Sequence, residues 1–211
     1  MTDTIAVTVQ PAADEDLTRP GRWCVAAGLV GLAQGAAVLA WPHQVDDSRF
    51  SFPFTASWHV LAQATFFLQH LPLVAAVGAV AAVAAVRREK LAHRALVVAA
   101  VGLGLLALME LVAMSAATIS KDSSLGTAIS SLYGIPVLMI GASLLVAGVV
   151  LLRRHTLGLR LPWTLVALGG FVFVGLVPAL STDSFVAGRL AIMVWMMLFA
   201  LFGRVIQRLA R

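Results

Sequence analysis

Residues 95–119 read ALVVAAVGLGLLALMELVAMSAATI, an apolar run that contains a single charged side chain, Glu110. About 20 apolar residues are what a helix needs to cross the hydrocarbon core of a bilayer. The run shows no alternation of period 2, so it predicts a membrane-spanning helix rather than a strand of a membrane barrel.

Five further apolar runs flank this one, and the whole chain is 60% hydrophobic and 12% charged. An ordinary soluble domain carries roughly 25% charged residues. We therefore predict an all-α polytopic membrane protein, with a polar cytoplasmic tail at 1–22 and a six-helix transmembrane domain at 23–211. The six spans are expected at 23–41, 57–86, 95–119, 125–152, 161–180 and 186–207.

The basic residues predict how the chain is oriented in the membrane. Twelve of the 15 Lys and Arg residues fall in the tail, after the second and fourth spans, and at the C-terminus. Lys and Arg accumulate on the cytoplasmic side, so both termini are predicted to be cytoplasmic. This placement assigns the net charge of +5 to helix ends beside membrane lipids, and it disfavours nucleic acid as a partner. The outer face collects the acidic residues Asp46, Asp47, Asp122 and Asp183.

Glu110 is the clearest candidate for a functional residue. An ionisable group within a span is energetically expensive, and its default interpretation is a functional site. We expect the carboxyl to be protonated unless a cation lies near it. It would then either give its proton to a weakly basic substrate or form a structural bond with Arg189, and the sequence leaves both open.

A set of polar residues from different spans shares one depth with Glu110. His59, Gln63 and His70 follow a helical spacing that places them on one face of the second span. With the predicted topology, the polar side chains that meet in the outer half of the bilayer are Gln34, His59, Gln63, Glu110, Tyr133 and Arg189. We predict a pocket there, lined in addition by Phe66, Phe67, His70, Phe171, Phe173 and Trp195.

Two local patterns leave alternatives open. In the loop at 42–56, Phe50, Phe52 and Phe54 alternate, and an extended backbone would place all three rings on one side, as a lid or as an interfacial belt. Gly31 and Gly35 form a G-x-x-x-G pair, for which close packing within the bundle is favoured over dimerisation. Homo-oligomerisation therefore stays open.

Several kinds of site are disfavoured. The histidines of the spans, His59 and His70, share one helix and are not arranged to hold a haem, and there is no zinc-binding spacing. Asp46 and Asp47 are adjacent, unlike a D-x-x-x-D pair that holds magnesium and a diphosphate. Cys24 is the single cysteine, which excludes an internal disulfide and a C-x-x-C pair. No metal or organic cofactor is predicted.

The six short-looped helices, the acid within a span (Met109-Glu110-Leu111) and the interleaved aromatic residues resemble the small integral-membrane terpene cyclases of bacterial indole-sesquiterpenoid and fungal meroterpenoid pathways. The resemblance is one of architecture over most of the chain and includes no diagnostic motif. It implies a bacterial plasma-membrane enzyme that protonates a lipophilic prenylated substrate, cyclises it through carbocations and removes a proton. By this resemblance Glu110 would be the acid, and Asp46, Asp47 or His59 would complete the proton relay.

Two other functions are compatible with the same residues. The first is a carrier or binding protein for a small hydrophobic or cationic solute, with Glu110 as the counter-charge. The second is an accessory subunit of a membrane complex, whose polar residues would contact helices of another chain.

Overall fold

The computed structural model describes residues 17–155, 157–182 and 184–209, and these form helices joined by turns, bends and isolated bridges. The expectations that concern residues 1–16, Asp183 and Arg211 fall outside the described residues. In chain order the helices are α1 (Thr18–Ala40), α2 (Ala56–Ala82), α3 (Ala84–Arg88), α4 (Lys90–Met114), α5 (Ser124–Arg154), α6 (Arg160–Phe171), a π-helical turn (Val172–Leu176), α7 (Val177–Leu180) and α8 (Phe185–Leu209).

Six helical segments are long and apolar enough to cross a membrane, which confirms the all-α, six-span prediction. These are α1, α2, α4, α5, the continuous segment Arg160–Leu180 and α8. The cytoplasmic position of both termini stays a prediction from the charge distribution.

Two helix boundaries differ from the predicted ones. The first span begins at Thr18, five residues before the expected start, because Pro20 lies in the first helical turn, where a missing N–H costs no intrahelical bond. The predicted second span of 57–86 is interrupted at Val83, whose ψ of 128° lies outside the helical region. A ring nitrogen of His93 lies 2.9 Å from the carbonyl oxygen of Ala81. This contact provides a hydrogen-bond partner for a carbonyl group at the end of α2, which has none within the helix.

The spans pack in a ring. Each span contacts the next one along the chain, and α8 closes the ring against α1. Large side chains from five spans fill a common apolar core; among those with 0% exposure are Leu73, Leu96, Leu144, Leu165 and Phe199. The connections 41–55 and 115–123, the end of α7 and the start of α8 lie at one end of the bundle, named here the loop face. The other end, where α1 begins and α8 ends, is the terminal face.

The contact between α1 and α8 depends on glycines. A Cβ atom on Gly28 would lie 2.6 Å from the carbonyl oxygen of Met196 and from the N atom of Ala200, both in α8. Cβ atoms on Gly31 and Gly35 would collide with the side chains of Met196 and Met193. The G-x-x-x-G pair thus packs within the chain, which confirms the favoured interpretation of that motif.

The fifth span changes its helical pitch before Pro178. Proline has no N–H to donate to the carbonyl four residues earlier, and its ring clashes with that carbonyl. The π-helical turn Val172–Leu176 widens the backbone at this point and allows the segment to continue into α7. Because of this change Phe171 packs over Gly175, whereas Phe173 is 40% exposed on the outside of the bundle.

Candidate active site at a buried carboxyl

Glu110 lies in the loop-face half of α4 and is buried, with 8% of its surface exposed. Its Oε2 atom is 3.0 Å from the hydroxyl oxygen of Tyr133 in α5. The same hydroxyl lies 3.1 Å from the carbonyl oxygen of Met109. The other carboxyl oxygen, Oε1, has no hydrogen-bond partner in the described part of the chain.

The close packing of α4 on α5 makes the Glu110–Tyr133 contact possible. Two turns toward the terminal face, a Cβ atom on Gly102 would lie 2.9 Å from the Ile140 side chain, so the two helices approach closely there. Because the helices are antiparallel neighbours, that approach brings residue 133 level with residue 110. The helix face of Tyr133 follows from the sequence, but its partner follows only from the packing.

Arg189 of α8 is the positively charged residue that interacts with Glu110 and Tyr133. The guanidinium is close enough to interact electrostatically with Glu110, Tyr133 and His59. Among the described residues, however, it forms no ion pair and donates no hydrogen bond. It lies over the ring of Phe185, with the guanidinium carbon 5.4 Å from the ring centroid. The structural bond to Glu110 that the sequence left open is therefore not formed as an ion pair.

His59 of α2 lies about one helical turn nearer the loop face than Glu110 does. Its Nε2 atom is 3.0 Å from the carbonyl oxygen of Ala113, three residues after Glu110 in α4. A carbonyl oxygen can only accept, so Nε2 is the protonated nitrogen and Nδ1 is left with a lone pair. We call His59, Glu110, Tyr133 and Arg189 the Glu110 cluster.

Two further glutamines, in α1 and α2, were predicted to line the site. Gln63 is buried and makes no hydrogen bond to a described residue. The Oε1 atom of Gln34 is also buried without a hydrogen-bond partner in that part of the chain. Buried polar atoms are nearly always satisfied, so these amides are candidates to bind a ligand or water.

His70 and Trp195, two of the predicted lining residues, have structural partners instead. Nδ1 of His70 lies 2.7 Å from the carbonyl oxygen of Phe66 in its own helix. Nε1 of Trp195 donates to the carbonyl oxygen of Leu168 at 3.3 Å, and the Trp195 ring packs edge-on against Phe199. Phe66, Phe67 and Phe171 are half-buried, and Phe173 faces away from the bundle.

The sequence-based search missed Gln69. Its Nε2 atom donates to the carbonyl oxygen of Ala27 at 3.2 Å and lies 2.8 Å from the sulfur of Met196, so one buried side chain joins α1, α2 and α8. A polar residue within an apolar run was the available signal. It lies on a different face of α2 from His59 and Gln63, and for that reason it was not grouped with them.

The loop at 42–56 is not extended, so the expectation that Phe50, Phe52 and Phe54 share one side is wrong. Backbone hydrogen bonds from Arg49 to Asp46 and from Phe52 to Arg49 fold the segment into turns. The rings consequently point to separate partners. Phe50 packs against His59 at 6.0 Å, Phe52 against Phe185 at 5.1 Å, and Phe54 against Trp41 at 5.3 Å.

This loop is held against the connection 115–123. The guanidinium of Arg49 donates to the carbonyl oxygen of Thr118 at 2.6 Å. The backbone N–H of Phe50 donates to the carbonyl oxygen of Ile119 at 3.0 Å. Phe50 and Phe52 thereby cover His59 and the Phe185–Arg189 pair at the loop face.

Asp46 and Asp47 are exposed in the same loop, apart from the Glu110 cluster. Hydrogen bonds from the hydroxyl and the N–H of Ser48 lower the pKa of Asp46 below its ordinary value, so its carboxylate stays ionised in mildly acidic solution. The structure therefore bonds His59 to the carbonyl of Ala113, one helical turn from Glu110, and leaves both aspartates in the exposed loop.

Two surface grooves lie elsewhere on the bundle. One, of about 580 Å³, is lined at the terminal face by residues that include Arg19, Arg22 and Trp23. The other, of about 490 Å³, lies between α2 and α4 and is lined by residues that include Gly78, His93 and Gly104. Neither groove contains a member of the Glu110 cluster.

Within the described residues, no three His, Cys, Asp or Glu side chains come together in a way that would hold a metal ion. Comparisons with family models, with curated proteins and with solved structures find no match for this chain.

Proposed function

We propose that the protein is an intramembrane cyclase or isomerase in which Glu110 protonates a lipophilic prenylated substrate and the bundle guides the resulting carbocation to a cyclic product. The observation that carries this proposal is the position of the Tyr133 hydroxyl, within hydrogen-bond distance of both Glu110 and the carbonyl of Met109. A phenolic hydroxyl has one proton to donate, so it cannot satisfy both acceptors fully.

A protonated Glu110 resolves this competition. The carbonyl of Met109 can only accept, and it takes the proton of Tyr133. The contact between Tyr133 and Glu110 then needs a proton on Glu110, donated to the phenolic oxygen. A neutral carboxylic acid is also the form that suits a group within a membrane span. The proton that reaches the substrate is therefore the one on Oε2. Once it has left, the hydroxyl of Tyr133 can turn from Met109 and donate to the carboxylate.

In the proposed reaction, the O–H bond of Glu110 breaks while a C–H bond forms at a terminal alkene, or an O–H bond forms at an epoxide oxygen. The electron pair of the alkene, or of the C–O bond, is thereby used, and a carbocation is left on the prenyl chain. Ring closure moves the cation, and loss of a proton from carbon ends the sequence. The product is an isomer of the substrate, because one proton is added and one is removed.

His59 is the group best suited to accept the final proton. Its Nε2–H is engaged by the carbonyl of Ala113, which leaves the Nδ1 lone pair free to act as a base. Return of this proton from His59 to Glu110 restores the starting state. Aromatic rings at the loop-face end, Phe50 and Phe185, offer π faces that stabilise a cation without forming a covalent bond.

The test is an assay of the purified protein in lipid nanodiscs with prenylated indole substrates and mass-spectrometric analysis of products. We expect Glu110→Gln to lower turnover by about 100-fold or more, the usual contribution of a general acid. Glu89→Gln is the matched control, because Glu89 pairs with Arg154 at the terminal face. Undiminished turnover in Glu110→Gln, or no product from any prenylated substrate with the wild-type protein, would refute the proposal.

A second function, binding or carriage of a small solute, is favoured by Gln34. Its buried Oε1 atom has no described partner and would accept a hydrogen bond from a solute. Under this alternative the wild-type protein retains or moves the solute unchanged. Gln34→Leu would weaken binding, whereas Gln207→Leu at the far end of the bundle would not.

A further inference from the structure

Among the described residues, Arg189 is a cation without a counter-charge if Glu110 carries a proton. In the described part of the chain, the titratable groups that interact electrostatically with Arg189 are Glu110, Tyr133 and His59. Of these only Glu110 is an acid of ordinary strength, and the proposed function requires it to be neutral. A charge inside the bundle that lacks an opposite partner is strongly disfavoured.

The guanidinium also has unused hydrogen-bond donors. It carries five N–H groups in a planar fork that matches a carboxylate or a phosphate. None of them is used by a described residue, and the recorded contact is with the face of the Phe185 ring. Unlike Arg49, which donates to a backbone carbonyl, Arg189 has no protein acceptor within that part of the chain.

We infer that Arg189 binds an anionic oxygen group, a carboxylate or a phosphate, carried by the lipophilic substrate. The substrate is then an amphiphile whose anionic end lies toward the loop face and whose prenyl chain extends beside Glu110. This inference rests on the proposed function, because it assigns a charge to the substrate of that function. The N-terminal end of α8 lies on the same half of the bundle and favours the same group.

The experiment measures equilibrium binding to the full-length protein in phosphatidylcholine nanodiscs at pH 8. The probes are farnesoate, which is anionic, farnesol, which has the same chain without the charge, and acetate, which has the charge without the chain. We expect the wild-type protein to bind farnesoate at least about tenfold more tightly than farnesol, as a charge-assisted hydrogen bond allows. Acetate at millimolar concentration should not displace farnesoate; if it does, the site takes a free anion and the assignment to an amphiphile fails.

Substitutions identify the residue that makes the difference. Arg189→Gln should remove the preference for farnesoate, Arg189→Lys should retain part of it, and Lys121→Gln should leave it unchanged as the loss of another cation at the loop face. Equal binding of farnesoate and farnesol by the wild-type protein, or an unchanged preference in Arg189→Gln, would overturn the inference. Arg189→Lys keeps the test decisive if Arg189→Gln does not fold.

Glu110→Gln separates this inference from the proposed function. If Glu110 is neutral in the wild-type protein, the substitution leaves the affinity for farnesoate within about twofold, whereas it lowers turnover by about 100-fold or more. A tenfold gain in affinity would show that an ionised Glu110 had been the counter-charge of Arg189, and would overturn the inference. Tight, Arg189-dependent binding without any product would instead count against the cyclase function alone.

Discussion

The hydroxyl of Tyr133 lies 3.0 Å from Oε2 of Glu110 and joins α5 to α4 at the one described acid that is buried in the spans. A carboxyl in this position is held in one orientation, with one oxygen engaged and the other open. Positioning of this kind is what allows a weak acid to act on a weakly basic substrate.

Tyr133→Phe removes this hydroxyl and nothing else. We expect a loss of about 1–3 kcal/mol in the free energy of unfolding, because the hydroxyl bonds to both Glu110 and the carbonyl of Met109 and one hydrogen bond contributes about 0.5–1.5 kcal/mol. Turnover should fall by about tenfold or more, because the carboxyl loses its fixed orientation, but less than in Glu110→Gln. Detergent-induced unfolding and the product assay measure the two effects.

Ser131→Ala serves as the control for Tyr133→Phe. The hydroxyl of Ser131 is exposed on the same helix and donates to the carbonyl of Thr127 at 2.8 Å, so its removal also deletes one hydrogen bond of α5. Turnover should remain at the wild-type level. An equal decrease in both variants would mean that the Tyr133 contact has no special role.

Gly28→Ala tests the close contact between α1 and α8. The new methyl group would lie 2.6 Å from two backbone atoms of α8, which cannot rotate away as a side chain can. We expect a destabilisation of about 1–3 kcal/mol, typical of overpacking. Thermal unfolding in detergent measures it.

Gly104→Ala is the matched control for Gly28→Ala. A Cβ atom there would meet no other atom within 4 Å. Alanine is the better helix former by about 1 kcal/mol, so this variant should be neutral or slightly stabilised. If Gly28→Ala is as stable as Gly104→Ala, the described contact between α1 and α8 is wrong.

Arg49→Gln tests the attachment of the loop that covers the Glu110 cluster. The shorter side chain cannot reach the carbonyl of Thr118, which Arg49 contacts at 2.6 Å. Amide hydrogen exchange in the segment 44–55 should then become faster by several-fold, because local opening of the loop costs less free energy. Lys121→Gln, which removes a cation from the adjoining loop, should leave the exchange rate unchanged. Equal exchange rates in Arg49→Gln and the wild-type protein would show that the hydrogen bond from Arg49 to Thr118 does not hold the loop in place.

Cysteine labelling tests the predicted orientation. Cys24 is buried, with 0% exposure, and its S–H lies 3.3 Å from the carbonyl oxygen of Phe199, so it should not react in the folded protein. In a Cys24→Ala background, Lys121→Cys should react with an impermeant maleimide added to intact cells. Arg88→Cys should react only after the cells are permeabilised, since the charge count places it in the cytoplasm. The reverse pattern would show that the bundle has the opposite orientation.

The number and the approximate limits of the spans were predictable from the sequence, because the bilayer imposes a minimum apolar length on each crossing. The start of α1 was predicted five residues late because residues 18–22 belong to the polar segment assigned to the tail, although Pro20 is compatible with a first helical turn. The turns in the 42–56 loop were not predictable from alternation alone, because Arg49 and Phe50 are bonded to residues almost 70 positions away.

The sequence by itself determined the all-α, six-span fold and singled out Glu110, since lipid leaves the backbone no alternative to helices and makes an acid within a span conspicuous. It also placed His59, Gln63, Tyr133 and Arg189 in one half of the bundle. The tertiary structure alone decided that Tyr133 bonds to Glu110, that His59 bonds to the carbonyl of Ala113, and that Arg189 is left without an ion pair among the described residues. The physical reason is that hydrogen bonds act over about 3 Å. Helix periodicity gives the face of a residue, whereas only the close approach of two helices at particular glycines sets which side chains come within that distance.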